Sequence, residues 1–138
     1  MSQQRIDVVQ DFRKPVEEVF AYLADHHNLQ KVFGIPVKRV RNGQGDVNGV
    51  GSVRSMGFAP LAVEETVVGL VPNESIDYKI TRGGGPLRNH HGRLTFTRTP
   101  GGSRVQWTIT FESPLPLVGP VVKTVLKQGL GMGLRKIA

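Results

Sequence analysis

The sequence predicts an α+β fold: one strand, a pair of short helices, six more strands and one long closing helix. Three observations predict it. Apolar and polar residues alternate through most of the segment from residue 37 to 112, with turn residues between the runs, as antiparallel strands require. The stretch from Leu117 to Ile137 repeats instead with the 3.6-residue period of an amphipathic helix. Strands and helices also fall in separate blocks, which is the order of an α+β chain and not of a parallel βαβ sheet.

Each element has its own signal. Arg5 to Arg13 alternates, with Ile6, Val8, Gln10 and Phe12 on one face. Lys14-Pro15 opens a helix, with Glu17 and Glu18 near its positive end and Val16, Val19, Phe20 and Leu23 as its buried side. Asp25-His26-His27-Asn28 breaks that helix, leaving His26 and His27 exposed, and Leu29 to Phe33 forms a second short one. The expected strands are Val37–Asn42, Val50–Met56, Ala62–Val71, Ser75–Arg82, Asn89–Arg98 and Arg104–Ser113, divided by Gly-, Pro- and Asn-rich turns. Alternation is cleanest in the last, where Val105, Trp107, Ile109 and Phe111 share one face. A sheet with one apolar face needs a cover, and the final helix supplies it.

That helix carries an anomaly. Val122, Leu126, Leu130 and Ile137 form its apolar stripe, with Thr124, Gln128 and Arg135 opposite, yet Gly129 and Gly133 sit within the stripe. Each glycine costs about 1 kcal/mol relative to alanine in a helix interior. Either another backbone comes close there or space is left for a ligand, and the sequence leaves both open.

Composition narrows the class. At 138 residues, 38% hydrophobic and 21% charged, the chain reads as a single domain spanning residues 1–138 with an ordinary globular balance. No run approaches the ~20 apolar residues of a membrane span. There is no cysteine and no signal-peptide pattern before the first strand, which fits a cytoplasmic protein. The net charge of +7 is uneven: from Lys79 onward ten basic residues face one acid, Glu112. Such asymmetry fits a solvated basic face, or an anionic partner such as nucleic acid, ribosome or membrane.

Taken in order, the motifs identify a resemblance. Pro15-Val-Glu-Glu-Val-Phe20, Gly49-Val-Gly-Ser-Val-Arg54, Glu65-Thr-Val, Pro72 to Ile80, Asn89-His-His-Gly-Arg-Leu94 and Gly101-Gly-Ser-Arg-Val-Gln-Trp107 run along almost the whole chain. Together they resemble the START-like (SRPBCC, Bet v 1-like) helix-grip superfamily, close to its polyketide cyclase/dehydrase and lipid-transport group. The resemblance implies a seven-stranded curved antiparallel sheet wrapped around a long C-terminal helix, with two short helices between strands 1 and 2. It also implies a cavity for a lipid, polyketide or isoprenoid-quinone type of molecule. It implies no single reaction, because no catalytic set is shared across such proteins.

Candidate site residues follow from alternation. Glu65 shares a face with Val63 and Val67, and serves as a polar ligand anchor, a proton-transfer group, or the partner of Arg54 in a cross-strand ion pair. His90 points with Leu94 and Phe96 inward, and His91 outward, so the two cannot share a metal ion. Tyr78, Phe96 and Trp107 are either core or cavity wall, and Leu126, Gly129, Leu130 and Gly133 form the helix side. Phe33 and Met56 guard the entrance on the fold resemblance alone. No metal or cofactor is expected: there is no His-x-x-x-His, and the glycine runs lack a phosphate-loop context. Nor does any serine sit in a Gly-x-Ser-x-Gly elbow.

Three functions fit. The first is a monomeric or weakly dimeric carrier or sensor for an apolar small molecule. The second is a polyketide cyclase or dehydratase with Glu65 and His90 as its candidate catalytic pair and Arg54 stabilising an enolate. The third is a protein using its basic half to bind nucleic acid, ribosomes or an anionic membrane.

Overall fold

The computed structural model describes residues 2–138. Its strands are β1 (Ser2–Phe12), β2 (Val37–Arg41), β3 (Val53–Met56), β4 (Val63–Val71), β5 (Ser75–Arg82), β6 (Arg88–Thr99) and β7 (Gly102–Ser113). Helices α1 (Val16–Ala24) and α2 (Leu29–Phe33) lie between β1 and β2, joined by a 3-10 turn at His26–Asn28, and α3 (Val118–Ile137) closes the chain. All seven strands form one antiparallel sheet in the order β1-β7-β6-β5-β4-β3-β2. The sheet is curved and α3 lies against its inner face, which is the helix-grip arrangement.

Register brings the apolar alternations into step. Ile6 pairs with Ile109 and Val8 with Trp107 across β1 and β7, while Leu94 pairs with Trp107 and Phe96 with Val105 across β6 and β7. These inward side chains are buried, and each contributes about 1.5–3 kcal/mol by leaving water. A one-residue slip would turn the whole set outward, so the core itself specifies the pairing.

The first helix is laid down as its sequence dictates. Pro15 sits at the N-cap position with φ −59°, and its missing N–H is one that no helix start can satisfy internally. Val16, Val19, Phe20 and Leu23 are buried, and Phe20 meets Phe96 edge-on with ring centroids 5.0 Å apart. The Asp25 carboxylate then accepts the His27 N–H, and α2 ends on Gly34 in the left-handed region at φ +69°. The third strand begins later than alternation suggests. Gly49 donates its N–H to the Asp46 carbonyl, Ser52 donates to Gly49, and Gly51 adopts φ +89°, so this segment curls and pairing with β2 starts only at Val53. Among the described residues, no helix is long and apolar enough to cross a membrane.

Candidate functional site

The two halves of α3 meet different surroundings. In its C-terminal half Leu130, Gly133 and Leu134 are buried. A Cβ on Gly133 would fall 1.9 Å from the Val32 carbonyl oxygen, so this glycine lets the backbone of α2 come close. Gly129 is exposed, with nothing within 4 Å of its Cβ position. The glycines therefore do not form a ligand notch. One is a helix–helix contact and the other faces outward.

The space lies beside the other half. A cavity of about 660 Å³ separates the N-terminal half of α3 from the sheet. Its helix wall is Val121, Val122, Val125 and Leu126. The sheet contributes Met56 from β3, Val63 and Glu65 from β4, Tyr78 and Ile80 from β5, His90 from β6 and Ile109 from β7. Phe33 and Ile35 bound it on the side of α2, and residues 60–62 with Gly83–Gly85 and Leu87 form loops around its mouth. Leu61 and Val125 are largely exposed there, so the rim is apolar as well as the interior.

Glu65, Tyr78 and His90 are the ionisable residues of this lining. Register places Glu65 opposite Arg54, whose Nε donates to Oε1 at 2.9 Å. Both side chains are buried, and the Arg54 guanidinium lies 4.6 Å from the centroid of the Tyr78 ring. Arg54 is thus held behind the wall by its carboxylate and an aromatic face. The Tyr78 hydroxyl accepts the Trp107 indole N–H at 2.8 Å, and burial holds its phenol protonated well above the ordinary range. The ring has room only because Gly92 is its cross-strand neighbour: a Cβ there would fall 2.1 Å from Tyr78 Cζ.

His90 is fixed by the backbone. Its Nδ1 accepts the Ile80 N–H at 3.1 Å, which puts the proton of the neutral ring on Nε2. Burial lowers its pKa, while the Glu65 charge pulls in the other direction, so the ring is neutral near pH 7. His91 points to the other face and sits 3.0 Å from Asp77, which also meets Arg93.

Other candidates have structural positions. Phe96 packs on α1, and Trp107 lies fully buried behind Tyr78 with Phe33 edge-on to it at 5.6 Å. Leu130 is core. His26 overturns the expectation of an exposed helix end: it is fully buried, with Nε2 2.8 Å from Ser52 Oγ, which donates onward to the Gly49 carbonyl. Burial, with Arg54 and Arg39 nearby, lowers its pKa to about 3, and Nδ1 has no partner among the described residues. The signal missing from the sequence was the loop before β3, which folds over the turn and supplies Ser52.

Several wall residues escaped sequence reading. Ile109 was legible as an inward position, but Val121 and Val125 lie off the main stripe of α3 and Leu61 and Leu87 lie in loops. On the outer surface, Arg98 pairs with Glu17 and Arg104 with Asp11, so part of the basic half is neutralised locally. Among the described residues no cluster of His, Asp and Glu is arranged to hold a metal ion.

The family described as polyketide cyclase / dehydrase and lipid transport matches residues 3–138. Solved structures share the fold at low identity. A protein from Nitrosospira multiformis is 22% identical over 96% of this chain and 93% of its own, with a TM-score of 0.71. Ara h 8.0201 is 18% identical over 99% and 97%, also at 0.71. The Aha1 dimer from Colwellia psychrerythraea is 14% identical over 97% and 92%, at 0.70. No curated protein matches the sequence.

Proposed function

The chain belongs to the polyketide cyclase / dehydrase and lipid-transport family, and from that premise we propose that it is a cytoplasmic carrier or sensor for an apolar small molecule of lipid, polyketide or quinone type. The observation that carries this reading is the cavity itself. About 660 Å³ lies between sheet and helix, walled by Val, Leu, Ile, Phe and Met, with few polar groups directed at it. Well-packed interiors rarely leave voids larger than a water molecule. A space of this size has the dimensions and the character of a small-molecule site.

The same geometry weighs against proton abstraction by His90. A general base needs a free lone pair within reach of the substrate. The lone pair of His90 is on Nδ1 and already accepts the Ile80 N–H. Glu65 keeps only Oε2 for a ligand, because Oε1 is engaged by Arg54. We therefore read the pair as orienting a ligand: His90 donates to it and has no free lone pair with which to take its proton.

The test is binding of the neutral fluorescent probe N-phenyl-1-naphthylamine, with native mass spectrometry of the purified protein to find any co-purified ligand. Leu126→Trp places an indole in the cavity from a half-buried position on α3. The expected result is probe binding by the native chain and at least a tenfold loss in the variant, about 1.4 kcal/mol, with unchanged circular dichroism. Equal affinity in both would overturn the placement of the ligand.

A further inference from the structure

The polar groups of the cavity define a ligand class more narrowly than its apolar walls do. One oxygen of Glu65, Oε1, is engaged by Arg54 Nε. Among the described residues no protein donor is assigned to Oε2. The His90 ring accepts a backbone N–H at Nδ1, so Nε2–H is the group it has left to offer. Both residues border the same cavity, where Glu65 is the anionic acceptor and His90 a neutral donor, beside a Tyr78 hydroxyl whose oxygen is already taken by Trp107.

Among the described residues no cation balances that acceptor on the cavity side, and the lining contains neither lysine nor arginine. Arg54, the partner of Glu65, is absent from the lining and stacks over Tyr78. A ligand carboxylate would bring a second negative charge to Glu65 in an apolar enclosure, with one neutral N–H to offset it. A bare hydrocarbon would leave both polar groups unmatched. A hydroxyl suits them: its O–H donates to Glu65 and its oxygen accepts from His90, directly or through an adjacent carbonyl.

We propose that the cavity selects uncharged apolar molecules bearing a hydroxyl, such as phenols, enols or long-chain alcohols, and rejects carboxylates of the same size. This inference rests on the reading of the cavity as a ligand site.

Three probes of matched shape test it by displacing N-phenyl-1-naphthylamine at pH 7: 2-naphthol, 2-methoxynaphthalene and 2-naphthoate. The ether keeps the acceptor and loses the donor, and the carboxylate adds charge. 2-Naphthol is expected to bind about tenfold or more tightly than the ether, as for loss of a hydrogen bond to a charged group, with 2-naphthoate weakest. Glu65→Gln should narrow the gap between naphthol and naphthoate. That variant leaves Arg54 buried without its partner and can unfold the chain, so the native-chain series is sufficient by itself. Equal displacement by all three, tightest binding of 2-naphthoate, or an unchanged gap in a folded Gln variant would each overturn the selectivity and leave the cavity reading standing. Failure of the fluorescent probe to bind at all would instead overturn the cavity reading, and the selectivity with it.

Discussion

Replacing the two glycines of α3 by alanine, one at a time, should change stability in opposite directions. At Gly129 the backbone is helical and nothing lies within 4 Å of the added methyl, so Gly129→Ala gains helix propensity alone, about 1 kcal/mol. At Gly133 the same methyl would fall 1.9 Å from the Val32 carbonyl oxygen and 2.7 Å from its carbon, where ordinary contact begins at 3.4 Å. The obstacle is backbone, with no side chain free to swing away, so α2 and α3 must move apart. Overpacking of this kind costs about 1–3 kcal/mol or more, and a clash with main chain belongs at the upper end. Set against the propensity gain, Gly133→Ala should lose about 2 kcal/mol. For a chain of this size 1 kcal/mol moves the midpoint by about 4 °C, so the variants should melt about 4 °C above and 8 °C below the native chain. Thermal unfolding followed by circular dichroism, with urea titration as a check, measures both. A Gly133→Ala variant as stable as the native chain would refute the close-packing account and return that glycine to the cavity.

Two further predictions concern buried charge. Arg54→Met leaves Glu65 buried without its partner and should cost about 3–5 kcal/mol in urea unfolding, whereas Arg54→Met with Glu65→Leu should recover most of that loss; a double variant no better than the single would show that the pair is not the source. His26 titrates near 6.5 in the unfolded chain and at about 3 when folded. Only the unfolded chain takes up the proton between those values, so stability is complete above about pH 6.5 and falls toward pH 3, by up to about 1.4 kcal/mol per unit. The lowered pKa of His90 adds a slope of the same sign. His26→Gln, which keeps a donor for Ser52, should remove one proton's share of the slope between pH 6 and 5, and an unchanged slope would contradict the buried neutral state.

What could be read in advance depended on how local the information was. The inward set Val105, Trp107, Ile109 and Phe111 follows from a period of two within one strand, and the buried face of α1 from Val16, Val19, Phe20 and Leu23 within one helix. The Arg54–Glu65 pair was legible as one alternative because the two strands that carry it are neighbours in the chain as well as in the sheet. His26 was not, since its burial comes from Ser52 and a loop about 26 residues away. The glycines failed for a related reason. Periodicity assigns a residue to a side of the helix, but not to the neighbour that side meets. The α3 stripe meets α2 at one end and empty space at the other.

That division along α3 separates stability from recognition. Leu130, Gly133 and Leu134 anchor the helix against the core and α2. Val121, Val122, Val125 and Leu126 border the cavity, and Val121 and Val125 are largely exposed. A residue packed on all sides resists changes of even one methylene, whereas a residue facing open space can change volume with little loss. The cavity half of the helix can therefore be reshaped for a different apolar body while the other half keeps it seated. Glu65 has no such freedom, because it is tied to Arg54, and through Arg54 to Tyr78 and Trp107. Ligand shape is thus the adjustable property of this site, and the polarity of the ligand's anchored end is the one the core holds fixed.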